Sequence, residues 1–322
     1  MFVMTANIFI ADFKAIKPNA LKWERSIFNH TDTATIKMPA ISKLKKEGDT
    51  YTNVQTGLQF EEGMPVEVYG GYNGLNYLRF KGFVSRVNYT IPLEVECEGY
   101  AYQLRKKIGF TKSYYNTKVK TILEDLIVGT QIKLSDAIPE IPLEKCGFNN
   151  QTGLQVLEWF KKECLLTVYF NFDTLYVGAL ELEPKTEVKL RLGYNVIKDN
   201  ELKFNNKKEF ADVRIVLEKK GKKGTKQSVK SSGDGQTKKL KSYLNDPAVL
   251  ADIAEQKRKT FVNKGYEGSI TAFLMPIVQP GDSLMIDDLK YPERTGKYFC
   301  TGLTGTMNES GGRQKISIGN SL

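Results

Sequence analysis

Few residues of this sequence have the type and spacing that catalysis or metal binding requires. The 322-residue chain contains one histidine, His30, so a Ser-His-Asp or Cys-His site has only one possible base. The four cysteines, Cys97, Cys146, Cys164 and Cys300, are widely separated and form no Cys-x-x-Cys pair. Zinc needs about four grouped N, S or O ligands, which this set does not offer. In a reducing compartment we expect free thiols, most of them buried.

Two other patterns superficially suggest chemistry. Residues 221–226 read GKKGTK, but they do not match the phosphate-loop pattern GxxxxGK[ST], and no strand-to-helix context follows directly. The acidic pairs Glu61-Glu62 and Asp287-Asp288 could suggest the two carboxylates of a glycosidase. Adjacent side chains on a strand diverge, however, so neither pair fits that role. The sequence therefore predicts no catalytic residue, no metal ligand and no cofactor, and we expect a protein that is not an enzyme.

Concentrated positive charge is the strongest remaining signal. The chain has 47 basic and 37 acidic residues, a net charge of +10, and +8 of it lies in residues 219–241, which contain nine lysines and one acid, Asp234. We expect a solvated basic loop, because almost no apolar residue offsets the entropy of ordering it. Like charges this close repel unless an acidic partner meets them. The candidate partner-docking residues are Lys222, Lys223, Lys226 and Lys230.

The partner of this segment is predicted to be an acidic protein surface. Nucleic acid is the alternative, but the segment lacks the arginines and interleaved aromatic residues that base readout and stacking use. No basic residue precedes the apolar start of the chain, which argues against a secretion signal. No run approaches the roughly twenty apolar residues of a membrane span. We therefore expect a soluble protein made in a cytoplasm.

The first 105 residues are predicted to form a small β-barrel domain. Apolar and β-branched runs indicate strands at 5–11, 26–37, 64–69, 75–87 and 93–98. Asn73-Gly74 indicates a hairpin, because both residues tolerate the positive φ of a type I′ turn. Between 93 and 98, apolar residues alternate with glutamates, which is typical of a half-buried strand.

Residues 106–180 are predicted to form an α/β insert. Apolar spacing indicates helices at 117–127 and 152–164, the first capped by Thr117 or Asn116 and followed by Gly129. Strands at 165–170 and 174–178 then form a hairpin.

Residues 181–322 are predicted to form a second β-barrel domain. Its strands are expected at 187–192, 201–205, 211–217, 269–274, 283–286, 297–301 and 315–318. One late helix, 246–263, begins after Asp246 as its cap. Pro280-Gly281-Asp282 predicts a tight turn, and 308–312 predicts a hairpin loop. The whole is an α+β fold that is mainly β: two small tube-like barrels, an α/β insert and a late helix.

The closing strands also carry a family resemblance. A Pro-Gly-Asp-x-Leu-x-Ile strand, a Gly-x-Tyr and a final Gly-Gly-Arg-x-x-Ile-x-Ile-Gly resemble the C-terminal end of phage late control D proteins. Those are baseplate hub proteins of contractile tails, similar to the hub part of VgrG-type spike proteins. The family-like turn and strand residues are Pro280, Gly281, Asp282, Gly296, Tyr298, Gly312 and Arg313, with Ile318 and Gly319 after them. The order of barrel, insert, barrel with a helix, and closing strands also resembles the family.

The resemblance implies a structural role and a set of partners. Hub proteins form homotrimers whose two barrels per chain make a pseudo-sixfold ring, which joins a hexameric tail tube to a trimeric spike. The expected partners are the tube protein, the spike protein and other baseplate proteins, with nucleic acid at most as channel cargo. The expected location is a virion tail baseplate or an injection particle, after synthesis in the bacterial cytoplasm. Because the chain ends at Leu322, we expect its spike to be a separate protein.

Two alternatives remain open at this stage. The chain could be a tail-tip adhesion module that binds a receptor or glycan through Tyr69, Tyr72 and Tyr77. It could also bind nucleic acid through the lysine-rich segment. The sequence leaves open whether the particle is a phage or a domesticated injection system.

Overall fold

The computed structural model shows a mainly β protein and describes residues 3–45, 50–179, 186–199, 201–205, 213–219, 228–233, 235–261, 265–292 and 295–322. The predicted fold class is confirmed: two barrel-like β units, an α/β insert and one late helix. None of the helices in these ranges has the length and apolar character needed to cross a bilayer.

The first unit is a curved antiparallel sheet that wraps one apolar core. Its strands are β1 Met4–Ile10, β2 Phe13–Ile16, β3 Ala20–Ser26, β4 Thr33–Met38, β5 Ile41–Lys45, β6 Tyr51–Gln55, β7 Pro65–Tyr72, β8 Leu75–Asn88 and β9 Leu93–Glu98. Across the sheet the order is β3-β4-β9-β8-β7-β1-β2, while β5 and β6 pair only with each other. The β7–β8 turn is the predicted one, with positive φ at Asn73 and Gly74.

One strand of this unit was predicted wrongly. Instead of a single strand over 26–37, the chain turns between Ser26 and Thr33 and forms two antiparallel neighbours, β3 and β4. The inward face of β3 has only two large apolar residues, Leu21 and the almost fully buried Trp23, and its third buried residue is Arg25, so the apolar pattern is short and easily missed. The turn brings Asp32 into the interior.

The middle unit packs three helices against short strands. In chain order they are α1 Ala101–Lys106, β10 Phe110–Lys118, α2 Val119–Ile127, β11 Lys133–Leu134, β12 Pro142–Gln151, α3 Gly153–Glu163, β13 Thr167–Asn171 and β14 Thr174–Gly178. Thr152 caps α3 in a capping box with Gln155. The predicted cap of α2 was wrong: Asn116 and Thr117 lie in β10, because that segment pairs with β12.

The second barrel unit uses the last third of the chain. This part contains β15 Glu187–Arg191, β16 Val196–Lys198, β17 Lys203–Asn205, β18 Val213–Lys219, β19 Ser228–Lys230, β20 Gln236–Ser242, α4 Pro247–Phe261, β21 Gly265–Ala272, β22 Ser283–Asp287, β23 Gly296–Asn308 and β24 Gly311–Ser321. The barrel order is β16-β21-β24-β23-β22-β15. Asp246 caps α4 as predicted, accepting hydrogen bonds from the backbone of residues 248 and 249.

The basic segment is not simply a solvated loop, as we had expected. Its described parts form strands: β18 pairs antiparallel with β19 and parallel with β20. The inner face of this sheet carries Ile215 and Leu217, which join Leu250 of α4 in the same core as Phe160 of α3. The core of the middle unit therefore extends beyond residue 180, and the domain limits 1–105, 106–180 and 181–322 stay predictions.

The two barrel units share one topology. Each unit has six main strands: in chain order, β1, β3, β4, β7, β8 and β9 in the first, and β15, β16, β21, β22, β23 and β24 in the second. Across the sheet, the first unit has the order β3-β4-β9-β8-β7-β1 and the second has β16-β21-β24-β23-β22-β15. If the six strands of each unit are numbered in chain order, both sheets have the order 2-3-6-5-4-1. Only the first-to-fourth pairing differs, antiparallel in one unit and parallel in the other. The chain is thus a structural duplication with insertions.

Strand β23 belongs to both barrels. Residues 296–299 pair with β22 of the second barrel, and residues 302–307 pair with β3 of the first. Tyr298 and Cys300 lie in the second core, while Leu303 and Met307 lie in the first. Between these two, Gly305 lies directly against Trp23. A single long strand therefore makes one continuous sheet from the two units.

Replacing Gly305 with alanine should destabilise both barrels together. A Cβ there would lie 2.0 Å from the buried Trp23 ring, so the ring or the strand must move. We expect a loss of about 1–3 kcal/mol in the free energy of unfolding, measured in urea by tryptophan fluorescence. Thr306→Ala on the same strand is the control and should stay close to the unchanged protein. Equal stability of the two variants would show that this contact does not constrain the fold.

Candidate assembly interface

The single histidine lies in a contact between the first barrel and α3. His30 Nδ1 is 3.7 Å from Glu158 Oε2. Burial, and then the nearby Lys161, lower the pKa of His30. His30 is therefore a packing residue of this contact. Among the described residues, no serine or cysteine side chain forms a hydrogen bond with it.

The four cysteines are free and buried. Burial raises the pKa of Cys146 to about 11 and that of Cys300 to about 12, and it also raises the pKa of Cys97 and Cys164. A thiol that stays protonated is a poor nucleophile and a poor metal ligand. Across the part of the chain described, no cluster of three or more His, Cys, Asp and Glu could hold a metal ion.

The acidic pairs point in different directions and make structural contacts. Asp287 accepts a hydrogen bond from Arg191 Nε at 2.8 Å, whereas the buried Asp288 accepts one from the Tyr266 hydroxyl at 2.8 Å. On the surface, Glu62 pairs with Lys106 at 2.7 Å. The phosphate-loop-like residues 221–226 lie outside the described residues.

The Pro280–Asp282 turn leads into β22 and hydrogen-bonds to Cys300 of β23. Gly281 has φ of 100°, a left-handed conformation in which glycine carries no Cβ strain. Asp282 is nearly buried, and its Oδ2 accepts a hydrogen bond from the Gln279 N–H at 2.7 Å. The carbonyl of Asp282 accepts one from the Cys300 N–H, and the Gly281 N–H donates to the Cys300 carbonyl. The turn is a structural element of the second barrel.

Gly296 and Tyr298 lie in the part of β23 that pairs with β22. A Cβ at Gly296 would lie 3.2 Å from the Tyr298 ring, so glycine lets the ring lie close to the strand. The buried Tyr298 hydroxyl accepts a hydrogen bond from the Tyr266 N–H at 3.0 Å. These family-like residues therefore connect β21 to β23 in the barrel interior.

Gly312 and Arg313 lie where the two barrels meet. The Gly312 carbonyl accepts a hydrogen bond from the Tyr72 hydroxyl at 3.0 Å and another from the Arg313 guanidinium at 2.8 Å. A Cβ at Gly312 would lie 2.6 Å from Leu274, so only glycine fits at this position without a shift. The Arg313 guanidinium also lies over the Phe273 ring, 5.1 Å from its centroid.

A buried arginine that the sequence analysis missed completes this contact. Arg79 of β8 is 3% exposed; its Nε donates to the Gly70 carbonyl at 3.0 Å and its Nη2 to the Leu274 carbonyl at 2.8 Å. Burial lowers the pKa of Arg79 to about 10. We call Tyr72, Arg79, Leu274 and Gly312 the barrel seam. Nothing in the sequence marks Arg79, because an arginine within a strand usually faces solvent.

A second buried arginine connects the first barrel to the middle unit. Arg25 donates to Asp32 Oδ2 and to Asn171 Oδ1, both at 3.0 Å, and lies 3.9 Å from the centroid of the Phe172 ring. Burial raises the pKa of Asp32, against the attraction of Arg25. The β13–β14 turn, where Phe172 has positive φ, is thereby held on the barrel surface.

Lysines gather on the outer face of the β19–β18–β20 sheet. Lys230 and Lys239 both lie beside Val216 in the sheet register, and Lys241 lies beside Glu218. Partners in register point to the same face, and strands are about 4.8 Å apart, so Lys230 and Lys239 are about 10 Å apart. Glu218 is the one acidic side chain described on this face, 4.0 Å from Lys239. We call Lys230, Lys239 and Lys241 the basic face.

The basic face is held rigidly from behind by α4. Glu255 of α4 accepts hydrogen bonds from the backbone and hydroxyl of Ser232, in the β19–β20 connection. Arg258, followed by Ser232, lowers the pKa of Glu255 to about 2. Of the predicted docking lysines, Lys230 is exposed on this face, whereas Lys222, Lys223 and Lys226 lie outside the described residues.

The three tyrosines considered for glycan binding do not form one patch. The Tyr69 hydroxyl donates to Glu67 on the outer surface of the barrel, while Tyr72 is used in the barrel seam. Tyr77 is just over a third exposed near Arg79.

Sequence comparison gives no assignment for this chain. No protein-family model matches it, and no curated protein matches it.

Solved structures give a clear likeness in fold. A tail protein from Neisseria meningitidis MC58 superposes with a TM-score of 0.67 at 14% identity, covering 99% of this chain and 97% of the other. The 43 kDa tail protein of prophage MuSo2 from Shewanella oneidensis gives 0.67 at 13%, covering 98% of both. An E. coli protein of the type VI secretion system, itself similar to the T4 tail proteins gp27 and gp5, gives 0.61 at 10%, covering 97% and 76%.

These matches run over the full described architecture, so the resemblance read from the closing strands is confirmed at the level of fold.

Replacing Arg79 with methionine should weaken the barrel seam. Methionine fills similar space but leaves the buried Gly70 and Leu274 carbonyls without their donor, at a cost of about 1–3 kcal/mol for each unsatisfied group. We expect the free energy of unfolding in urea to fall by about 2–4 kcal/mol. Arg86→Met, at an exposed position of the same strand, is the matched control. If both variants lost the same small amount, the seam would not depend on Arg79.

Proposed function

We propose that this chain is a structural baseplate hub that joins a tail tube to a central spike as a trimeric adaptor. The observation that carries the proposal is the full-length likeness of fold to two phage tail proteins and to a type VI secretion component. Contacts of the described residues support it, since His30, Asp287 and Asp288 each have a structural partner. A role as a structural protein rather than an enzyme is part of the proposal.

The duplicated topology supports the trimer. Three chains with two barrels of equal strand order supply six similar units, which can be arranged in a ring with near-sixfold symmetry. Such a ring presents six similar positions to a hexameric tube, while its true threefold symmetry suits a trimeric spike. Within one chain, β23 and the barrel seam join the first barrel to the second. We propose that the contact between chains joins the second barrel of one copy to the first barrel of the next.

We propose assembly into a phage tail or a related injection particle after synthesis in the bacterial cytoplasm, with tube, spike and other baseplate proteins as partners. Nucleic acid is at most cargo in the channel. The tail-tip adhesion role is less favoured, because its three tyrosines are divided between the outer surface and the barrel seam.

Light scattering after size-exclusion chromatography tests the hub directly. The chain co-expressed with the spike protein of its own particle should elute as a complex containing three copies. Averaged electron micrographs should show a ring of six similar lobes, since the two barrels have the same strand order. A chain that stays monomeric, does not bind the spike protein and binds sugar would contradict the hub proposal and favour the adhesion role.

We also propose that the basic face docks on an acidic protein surface in the assembled particle. The backbone of its lysines is fixed on paired strands, so binding does not have to order the backbone. Glu218 lies among them and would repel a phosphate backbone, whereas a protein surface of mixed charge can pair with it. The face also lacks the aromatic side chains on which bases stack.

Serine substitutions at the basic face should weaken assembly without weakening the fold. We expect Lys230, Lys239 and Lys241 changed together to reduce binding to the tube or spike protein about tenfold or more at low salt, with a smaller effect at high salt. The control changes Lys22, Lys189 and Lys290, three exposed lysines elsewhere, and should bind normally.

The lysines of the segment 220–227 are tested separately, by changing Lys222, Lys223 and Lys226 to serine with Lys230. Retention of a DNA duplex on a filter is measured for every variant. Assembly that is unchanged while DNA retention is lost would overturn the protein-docking proposal in favour of nucleic acid.

A further inference from the structure

An apolar groove lies at the free end of the first barrel sheet. It has a volume of about 430 Å³ and runs between β2 and the β5–β6 hairpin. Its apolar lining comes from Phe13, Ile16, Met38, Ile41, Leu44 and Phe60. The floor is rigid, because Phe13 and Phe60 meet edge to face with their ring centroids 5.5 Å apart. The volume falls within the range of protein binding pockets.

The walls of the groove include unpaired strand edges. β2 pairs with β1 through Ile8–Ile16 and Ile10–Phe13, and it has no second strand neighbour within the described ranges. In the described part of the β5–β6 hairpin, the two strands pair only with each other. A strand edge of this kind presents a row of backbone donors and acceptors that a further strand can satisfy. Within the described ranges, the groove therefore combines an apolar lining with strand edges that have no further strand partner.

The rim of the groove is positively charged. Lys14, Lys17 and Lys43 line it, and no acidic side chain does. None of the three forms a salt bridge to a carboxylate described in this structure. Elsewhere on the first barrel, comparable lysines are paired: Lys37 with Glu94 at 3.1 Å, for example. Among the described residues, the three rim lysines thus lack a carboxylate partner such as the one that Lys37 has.

We propose that this groove binds an extended, acidic segment of a partner chain, which adds to the free edge of β2 as a strand. Its alternate side chains would enter the apolar groove, and its carboxylates would pair with the lysines at the rim. This mode of recognition takes affinity from main-chain hydrogen bonds and specificity from alternate side-chain pockets. A fatty acid would meet the apolar lining and one lysine, but it would leave the β2 edge unpaired. The groove belongs to one chain, so the proposal does not depend on the hub role.

Fluorescence polarisation with labelled peptides tests the proposal on the whole chain. The probes are Gly-Glu-x-Glu-x-Glu-Gly peptides in which x is Val, Ile, Leu or Phe. At least one should bind with a Kd below about 100 μM, about −5.5 kcal/mol. A lysine-for-glutamate version should bind at least tenfold more weakly. A version methylated at alternate backbone nitrogens, which cannot pair as a strand, should lose binding to a similar extent.

Variants then place the bound peptide in the groove. Lys14→Glu combined with Lys43→Glu should weaken the best peptide tenfold or more, and Ile41→Asp, at an exposed position of the lining, should do so independently. Lys22→Glu, on the exposed side of β3, is the matched control and should bind normally. Thermal unfolding of each variant checks that the fold is retained. If a variant does not fold, the comparison of the acidic, lysine-substituted and methylated peptides on the unchanged protein still tests the proposal.

Several results would overturn the inference. The absence of binding by every acidic peptide up to about 1 mM would do so, as would equal binding of the methylated peptide. Binding that the groove variants leave unchanged would place the peptide elsewhere. Displacement of a fluorescent fatty acid by dodecanoate, with no peptide binding, would identify a lipid site instead of a strand site.

Discussion

The pairing of β23 with β3 is the interaction on which the rest of this structure depends. One strand contributes Tyr298 to one apolar core and Leu303 to another, so neither barrel is complete without the other. Gly305 makes this possible, because its missing Cβ lets the backbone approach the buried Trp23 ring. The shared strand makes one continuous sheet of the two barrels.

Buried arginines hold the remaining units in place. Arg79 connects the barrels through two backbone carbonyls, and Arg25 connects the first barrel to the middle unit through Asp32 and Asn171. Burying a guanidinium is costly unless its hydrogen bonds are made, so each arrangement is favourable only in one relative position of the units. The arginines therefore contribute specificity of geometry. Apolar contacts alone would permit the units to slide over one another.

The lysine-rich segment was expected to be a solvated loop, but its described residues form strands whose two faces differ in polarity. As strands, β19 and β20 place Val229 and Leu240 toward the core that contains α4, and Lys230, Lys239 and Lys241 on the opposite face. Anchoring by Glu255 at the β19–β20 connection then fixes the spacing of those lysines. Beside the separate lysine rim of the groove at β2, this gives the chain two basic surfaces of different shape. One is flat and suited to a folded surface, the other concave and suited to an extended segment.

The sequence by itself determined the mainly β class, helix α3 of the insert, the Asp246 cap of α4, the Asn73-Gly74 hairpin and the closing turns, because each follows from local pattern and turn chemistry. It also pointed to the tail-hub fold through Pro280–Asp282 and Gly312. Tertiary structure decided the division of 26–37 into two strands, the strands β19 and β20, and the buried positions of Arg25 and Arg79. Arginines and lysine-rich segments usually face solvent. Here they are buried or paired because residues distant in the chain accept their hydrogen bonds or cover their apolar faces.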